Sequence, residues 1–132
     1  MSTKDFEFAV NLTDRVDWGL SRSDFEFMKE LEPDGCFVLL EGSKRIGLAT
    51  TVSFGKMAWF GNLIVDESKR GKGAGSAIVN HALEYLKTRD VSTVGLYAYM
   101  ERIPFYLRLG FRSDIDFLVM KGKGFESHGK LN

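Results

Sequence analysis

The stretch from residue 57 to residue 88 limits the possible folds more than any other part of the chain. It begins with an apolar run, MAWFGNLIVD (57–66), passes through a charged turn with three glycines, and ends in an amphipathic segment. Hydrophobic residues occupy both alternating sets of positions in the run, which indicates a central strand buried on both faces. In the amphipathic segment they recur at helical spacing, which predicts a helix over 74–88. This order of elements predicts an α/β or α+β domain.

Strict alternation along the apolar run assigns its side chains to two faces of the sheet. The residues predicted to share the first face are Met57, Trp59, Leu63 and Val65. Those predicted on the second face are Ala58, Phe60 and Ile64.

Two further apolar runs precede the central one and also predict strands. They are CFVLLE (36–41) and RIGLATTVSF (45–54). The short connections at 42–43 and 55–56 are both Gly-X pairs, which suit two-residue hairpin turns. The three strands are therefore predicted to form an antiparallel meander.

The N-terminal part of the chain carries one strand-like and one helix-like pattern. FEFAV (6–10) alternates between apolar and polar residues, which predicts a strand. The segment 14–33 is predicted to be helical and to end at Pro33, with Ser23 or Asp24 as an internal cap.

The part of the chain after the glycines completes the predicted sheet. TVGLYAY (93–99) predicts a strand parallel to the central one, ERIPFYLRLG (101–110) a short helix, and FRSDIDFLVMK (111–121) a last strand. The predicted order is β-α-β-β-β-α-β-α-β, a mixed sheet with helices on both faces. We expect one domain over 1–121 and a flexible tail over 122–132.

Composition restricts the class of protein. A chain of 132 residues suits one domain, and its formal net charge of zero argues against general nucleic-acid binding. Residues 1–66 carry 11 acidic and 7 basic side chains, whereas residues 67–132 carry 7 and 11. The basic second half suits a compact anionic ligand, and the alternative, which charge alone favours, is scattered solvated charges. Cys36, the only cysteine, lies in an apolar run and is expected to be buried. Without a membrane-spanning run or a signal-peptide pattern, we expect a cytoplasmic protein that does not bind membranes.

The three glycines, Gly71, Gly73 and Gly75, precede or open the predicted helix. Backbone amides at a helix start have no intrahelical partner, and glycines let a phosphate approach them. Two common nucleotide motifs do not fit. The Walker loop requires Ser or Thr after its lysine, but Lys72 is followed by glycine, and the dinucleotide fingerprint requires glycine where Ser76 stands.

The pattern that remains is Arg70-x-x-Gly73-x-Gly75, after a meander and before an amphipathic helix. Together with FYLRLGF (105–111), it resembles the GCN5-related N-acetyltransferase (GNAT) family over roughly residues 6–121. The resemblance implies the GNAT fold, in which the central strand and the next parallel strand splay apart. It also implies acetyl-CoA as cosubstrate, with no metal, and transfer of an acetyl group to a primary amine by direct attack in a ternary complex.

The resemblance assigns the cofactor-binding residues in two groups. The loop whose amides would hold the pyrophosphate comprises Arg70, Gly71, Lys72, Gly73, Ala74 and Gly75. The strand residues that would lie along the pantetheine arm are Leu63, Ile64 and Val65, and an amide near Leu63 or Ile64 would polarise the thioester carbonyl.

The resemblance also suggests catalytic residues. Tyr106 lies five residues before Phe111, where the family often carries a tyrosine that acts as general acid toward the CoA sulfur; the alternative is a packing role. Asn62 is the only polar side chain inside the apolar run, and it could position a water or the substrate or be a core amide. No residue is assigned as the general base. The carboxylates that could face the cleft are Glu41, Glu101, Asp114 and Asp116.

Trp59, Tyr97 and Tyr99 could line an acceptor pocket for an apolar or aromatic amine, the alternative being a packed sheet face. The family often has an asparagine near position 99 that contacts the cofactor, so Tyr99 puts that contact in doubt. His81 and His128 form no metal-binding cluster with the single cysteine.

The family closes its sheet with a hairpin, but only one strand is predicted at this position. The missing strand could come from a dimer partner or a rearranged sheet edge, or the chain could be one part of a longer, two-domain acyltransferase. The leading hypothesis is an N-acetyltransferase acting on a small-molecule or protein amine. The alternatives are a non-catalytic acyl-CoA-binding or regulatory domain and a module for another phosphate ligand.

Overall fold

One mixed sheet organises the fold of this computed structural model, which describes residues 1–114 and 117–120. The helices are α1 (Phe6–Asp14), α2 (Arg22–Leu31), α3 (Ala74–Thr88) and α4 (Ile103–Arg108). The strands are β1 (Cys36–Glu41), β2 (Lys44–Phe54), β3 (Met57–Val65), β4 (Thr93–Leu96), β5 (Phe111–Asp114) and β6 (Phe117–Met120). Their spatial order in the sheet is β1-β2-β3-β4-β6-β5. The predicted mixed sheet is confirmed.

The predicted meander is also confirmed. β1 pairs with β2, and β2 with β3, in antiparallel register. Both connections are two-residue turns that begin with a glycine in the left-handed region, Gly42 at φ +63° and Gly55 at φ +62°. Because this backbone twist matches that of the flanking strands, the two turns fix the register of all three.

The predicted N-terminal strand over 6–10 is wrong, because these residues begin helix α1. Phe6, Ala9 and Leu12 are buried on one side of this helix. Their spacing is helical, and it shows only when the pattern is read beyond residue 10. The chain therefore begins with two helices before the meander.

The predicted helix over 14–33 is in fact the end of α1, an irregular segment, and α2. Ser21 caps α2: its Oγ accepts a bond from the Asp24 amide at 3.3 Å, and its own amide donates to the Asp24 carboxylate at 2.8 Å. This capping box replaces the predicted caps at Ser23 or Asp24. The helix ends at Leu31, two residues before Pro33.

Two hydrophobic clusters cover the two faces of the sheet. The α3 side chains that pack on one face are Ile78, Val79, Ala82, Leu83 and Leu86. On the opposite face α1 and α2 pack against Leu48 and Ile64. The prediction of helices on both faces is confirmed. Among the described residues, no helix has the length and apolar character needed to cross a membrane.

Strands β3 and β4 run parallel but pair only over their first residues, from Met57 opposite Thr93 to Trp59 opposite Gly95. Beyond this point the two strands diverge. β4 ends at Leu96, so the predicted strand over 93–99 is three residues too long. The divergence opens a gap in the middle of the sheet.

A bulge in β3 changes which side chains face which layer. The register with β2 moves from Gly61 opposite Thr50 to Ile64 opposite Leu48, so β3 has one residue more than β2 over this interval. After the bulge, Leu63 packs with the α3 cluster, whereas Ile64 packs with the α1 and α2 cluster.

The predicted faces of β3 are therefore wrong beyond the bulge. Val65, like Leu63, shares the α3 cluster with Ala58 and Phe60, from which alternation separated it. Strict alternation cannot anticipate an inserted residue.

The predicted last strand over 111–121 is a short antiparallel hairpin, β5 and β6. Strand β6 also pairs with β4, so it lies between β4 and β5. The expectation that the closing hairpin is missing is therefore wrong. The predicted tail over 122–132 lies outside the described residues.

Candidate active site

The gap between β3 and β4 opens into a cleft of about 620 Å³. Its floor comes from the diverging part of β3, and its sides come from the irregular segment after α1, the end of β4 and helix α4. Because the strands have parted here, backbone groups of β3 face the cleft instead of another strand.

Two of the three glycines are required by the backbone. Gly71 and Gly73 have φ angles of +78° and +83°, and a Cβ at either position would have no atom within 4 Å. There is space for a side chain at both positions, but the left-handed conformation favours glycine. Both positions lie where the loop bends into α3.

Gly75 has a different role, because its φ lies outside the left-handed region and its surroundings are crowded. A Cβ at this position would lie 3.3 Å from Cζ of Phe105 in α4. The glycine therefore lets α4 pack closely against the start of α3. This contact places Phe105 and Tyr106 beside the cleft.

The start of α3 has the properties of an anion site. Gly73 is its N-cap, no side chain of the described residues caps it, and its first turn has no acidic residue. The first-turn amides therefore point outward without helical partners, and the helix dipole adds positive charge. Ala74 is half-buried, and Lys72 is exposed beside the loop.

Two basic side chains near the loop are already engaged. Arg70 lines the cleft, and its Nε donates to the Val65 carbonyl at 2.9 Å, which fixes the guanidinium beside the strand end. Lys69 is paired with Glu41 at 2.6 Å. Arg70 is therefore better placed than Lys69 to add charge at the cleft.

Of the strand residues predicted to contact a cofactor, Leu63 lies in the bulge, and Ile64 and Val65 follow it. Leu63 and Ile64 line the cleft, and the side chain of Val65 is buried in the core. Asn62 lines the cleft as well, at φ +54°. Its Nδ2 donates to Thr50 Oγ1 at 3.0 Å and to Met28 Sδ at 3.2 Å, so Oδ1 is the atom left to meet a substrate or water.

Tyr106 lies in the wall of the cleft with only 7% of its surface exposed. Its ring packs edge-to-face on Phe105 and Phe111, with centroids 4.9 and 5.7 Å away. Burial raises the pKa of Tyr106 to about 12, although the charge of Arg102 opposes the shift. The phenol is therefore protonated at neutral pH and can donate a hydrogen bond.

Aromatic side chains line the end of the cleft next to β4. Trp59 and Tyr97 pack edge-to-face with ring centroids 4.8 Å apart. Trp18 Nε1 donates to the Tyr99 hydroxyl at 3.1 Å. Tyr97 and Tyr99 are 68% and 60% exposed, which does not support the alternative of a packed sheet face.

Trp18 is a cleft residue that the sequence analysis did not identify. It comes from the irregular segment between α1 and α2, where no motif or periodicity marks it. Hydrogen bonding to Tyr99, 81 positions away, is a tertiary contact that the sequence does not reveal.

The candidate carboxylates lie in different parts of the structure. Glu101 lines the cleft, whereas Glu41 pairs with Lys69. The Asp114 side chain and all of Asp116 lie outside the described part of the chain.

The other residues considered from the sequence have packing roles or are not described. Cys36 is buried, as predicted, and burial raises the pKa of its thiol. His81 packs edge-to-face on Phe37, 5.1 Å between centroids, and His128 lies outside the described residues. No group of three or more metal-ligating side chains occurs among the described residues.

Three features define the acyl-CoA N-acyltransferase class of folds. They are a mixed sheet, a parallel strand pair that splays apart, and a glycine-rich loop at the start of the following helix. The sequence model of the Acetyltransferase (GNAT) family matches residues 6–111. The chain belongs to this family, as its glycine loop predicted.

Individual relatives agree with the family assignment. An uncharacterized N-acetyltransferase of Methanocaldococcus jannaschii is 32% identical over 97 residues, which cover 66% of this chain and 43% of the relative. The crystal structure of Ard1 from Thermoplasma volcanium has a TM-score of 0.79 at 20% sequence identity. The superposed region covers 85% of this chain and 79% of the Ard1 chain. PaiA N-acetyltransferase from Thermoplasma acidophilum, solved with coenzyme A, has a TM-score of 0.76 at 16% identity, covering 92% and 96%.

The similarity to the Ard1 and PaiA structures shows that this chain has the same fold as those proteins. The chain spans less than half the length of the curated relatives it matches.

Proposed function

We propose that this protein is an acetyl-CoA-dependent N-acetyltransferase that acts on a primary amine. The observation that carries the proposal is the uncapped start of α3, where Gly71 and Gly73 hold the loop in a conformation open to an anion. It adjoins a cleft in which Tyr106 and unpaired strand backbone meet. The bound structure of the PaiA relative supports coenzyme A as the ligand of this arrangement.

The loop would hold the pyrophosphate through the first-turn amides of α3, with Arg70 and Lys72 beside it. The pantetheine arm would follow β3 along Leu63 and Ile64 and pair with its backbone like an added strand. This places the thioester near the bulge. When bound, the cosubstrate supplies the activated acetyl group.

The transfer needs a neutral amine, because an ammonium has no lone pair to attack with. A lysine-like amine has a pKa of about 10.4, so it must lose a proton to water or a base before attack. The amine nitrogen forms a bond to the thioester carbonyl carbon, whose oxygen becomes negative and is stabilised by β3 amides. The nitrogen, which carries an extra proton after the attack, loses it to water or a base. The oxyanion re-forms the carbonyl as the carbon–sulfur bond breaks, and CoA leaves as a thiolate that gains a proton.

Two cleft side chains suit these proton movements. Glu101 lines the cleft and is the described carboxylate best placed to accept the amine proton through water. Tyr106, with its pKa raised to about 12, is a much weaker acid than a thiol, whose pKa is about 8.5. We therefore assign it the role of donating a hydrogen bond to the departing sulfur, while solvent supplies the final proton.

The aromatic end of the cleft suits an acceptor whose amine is attached to an apolar or aromatic group. Trp59 and Tyr97 offer ring surface, and Trp18 and Tyr99 offer a second pair. Among the described residues that line the cleft, the charged side chains are Arg70, Glu101 and Arg102. A strongly basic peptide would find little charge complementarity there.

A turnover assay with a panel of amines tests this function. We expect acetyl-CoA to release free CoA with an arylalkylamine, and about tenfold less efficiently with a polylysine peptide. Tyr97→Ala should raise KM for the favoured amine several-fold, because it removes exposed ring surface in the cleft. Phe54→Ala is the matched control, since Phe54 is 66% exposed but lies on the hairpin between β2 and β3. Equal effects of the two variants would contradict the acceptor assignment.

Tyr106→Phe tests the hydrogen bond to sulfur while keeping the ring packing. We expect kcat to fall roughly 10- to 100-fold with little change in KM. Because the pKa is raised to about 12, activity in the unsubstituted protein should rise with pH as the amine deprotonates, without loss below about pH 11. Steady-state kinetics over pH 6–10 measure both effects. An unchanged kcat would leave Tyr106 with its packing role alone.

The second candidate function is a non-catalytic acyl-CoA-binding or regulatory domain. It is favoured by the absence of a carboxylate inside β3. Binding of CoA without CoA release on any amine would support it over the transferase.

We also propose that the protein is cytoplasmic and that it forms a homodimer. Gel filtration tests the homodimer.

A further inference from the structure

We propose that Thr50 and Asn62 act as positioning residues that hold the β3 bulge so that its free backbone amides meet the acetyl carbonyl. The inference deepens the proposed function and rests on it. It gives both residues a role in transfer, although neither would form or break a bond.

The first observation is that the bulge leaves backbone groups free. In the described part of the sheet, Asn62 and Leu63 have no partner residue in β2 or β4. An inserted residue in a bulge is left out of the ladder, and β4 has already diverged beyond Trp59. On the side that β4 has left, the backbone of this segment therefore faces the floor of the cleft, which both residues line.

The second observation is that one buried hydroxyl bonds to both sides of the bend. Thr50 is 5% exposed, and its Oγ1 donates to the Gly61 carbonyl at 3.3 Å. The same oxygen accepts a bond from Asn62 Nδ2 at 3.0 Å. A hydroxyl can donate one bond and accept another, so Thr50 ties the last paired residue to the bulged one.

The third observation connects the bulge to helix α2, which packs on one face of the sheet. Asn62 Nδ2 also lies 3.2 Å from Met28 Sδ in α2. Asn62 has φ +54°, a conformation that asparagine tolerates better than most residues. Its side chain is thus held from two elements while its backbone makes the turn.

Together these contacts preorganise the amides. Donors aimed at a developing oxyanion are effective when their positions are fixed before the reaction, and a shift of about 1 Å can reduce the rate about 100-fold. Without the Thr50 hydroxyl, both Gly61 and Asn62 lose a partner. The bulge would then sample other conformations.

Thr50→Val and Thr50→Ser form the test pair, because valine keeps the shape without the hydroxyl and serine keeps the hydroxyl. We expect kcat to fall roughly 10- to 100-fold in the valine variant and to be largely recovered in the serine variant. Affinity for acetyl-CoA, measured by titration calorimetry, should fall in the valine variant. Affinity for CoA, which has no acetyl carbonyl, should be the same in both.

Each result decides the proposal. Equal kcat values and equal acetyl-CoA affinities in the two folded variants would overturn it. If the unsubstituted protein turns over no amine, the ratio of acetyl-CoA to CoA affinity still tests the bulge, and only the transferase assignment fails. If Thr50→Val does not fold, Asn62→Gly replaces it, since glycine adopts the same φ without the side-chain bonds.

Discussion

Replacing Gly73 with glutamate is expected to abolish the thermal stabilisation that CoA gives the unsubstituted protein. A ligand at one hundred times its Kd should stabilise the native state by about 2.7 kcal/mol. The glutamate would place a negative charge at the helix start, where the pyrophosphate is proposed to bind. Because no atom lies within 4 Å of a Cβ at this position, the side chain fits without a clash. Thermal unfolding with CoA, acetyl-CoA, ATP and NAD measures the response.

Gly73→Gln is the matched control for that experiment. Both variants place a non-glycine residue at φ +83°, which costs roughly 1–2 kcal/mol, so their strain is the same. Without ligand the glutamate variant should be the more stable of the two, since a negative charge at a helix N-terminus is favourable. With CoA the order should reverse. A CoA response retained by the glutamate variant would place the pyrophosphate elsewhere, and equal stabilisation of the unsubstituted protein by ATP would indicate a different phosphate ligand.

Replacing Glu32 with alanine is expected to lower the free energy of unfolding by roughly 3 kcal/mol. Glu32 follows α2 and is 3% exposed. Its Oε1 accepts bonds from the amide and hydroxyl of Ser53, both at 2.8 Å, and its Oε2 accepts the Tyr85 hydroxyl. Arg89 Nε lies 3.8 Å from the same carboxylate. The alanine variant would leave all of these groups without their acceptor, and urea unfolding at pH 7 measures the loss.

The pH dependence of this effect separates charge from shape. Burial raises the pKa of Glu32, but the bonds from Tyr85 and Ser53 and the charge of Arg89 outweigh it and hold the pKa below its usual 4.5. The ionised carboxylate therefore contributes stability above about pH 4.5, and this is lost as pH falls through the lowered pKa. Glu32→Gln keeps the shape without the charge, so its deficit should be largest near pH 7 and shrink in acid. A deficit independent of pH would show that the charge contributes nothing.

The meander and the central helix could be predicted from local features. The Gly-X turns fix strand pairing within a few residues, and α3 has an uninterrupted apolar face. The first helix could not be predicted from FEFAV alone, because five residues fit both a strand period and the start of a helical one. The prediction of a single strand over 111–121 overlooked a turn signal, because Ser-Asp-Ile-Asp (113–116) is rich in residues that favour turns.

The conformation of the glycine loop could be predicted from the sequence because its constraint is local. Gly71 and Gly73 are needed for their own backbone angles, and a glycine motif before a helix displays that requirement directly. The role of Gly75 is different: it makes room for Phe105, thirty positions away, and only packing reveals it.

The sequence by itself determined the family, the meander, the glycine loop and the helix that follows it, since each depends on residues close together in the chain. The tertiary structure decided the shape of the cleft. At the bulge Asn62 donates to Thr50 on the neighbouring strand, and at the aromatic end Trp18 donates to Tyr99. These contacts join side chains distant in sequence, whose partners are chosen by the packing of the whole fold and by no local pattern.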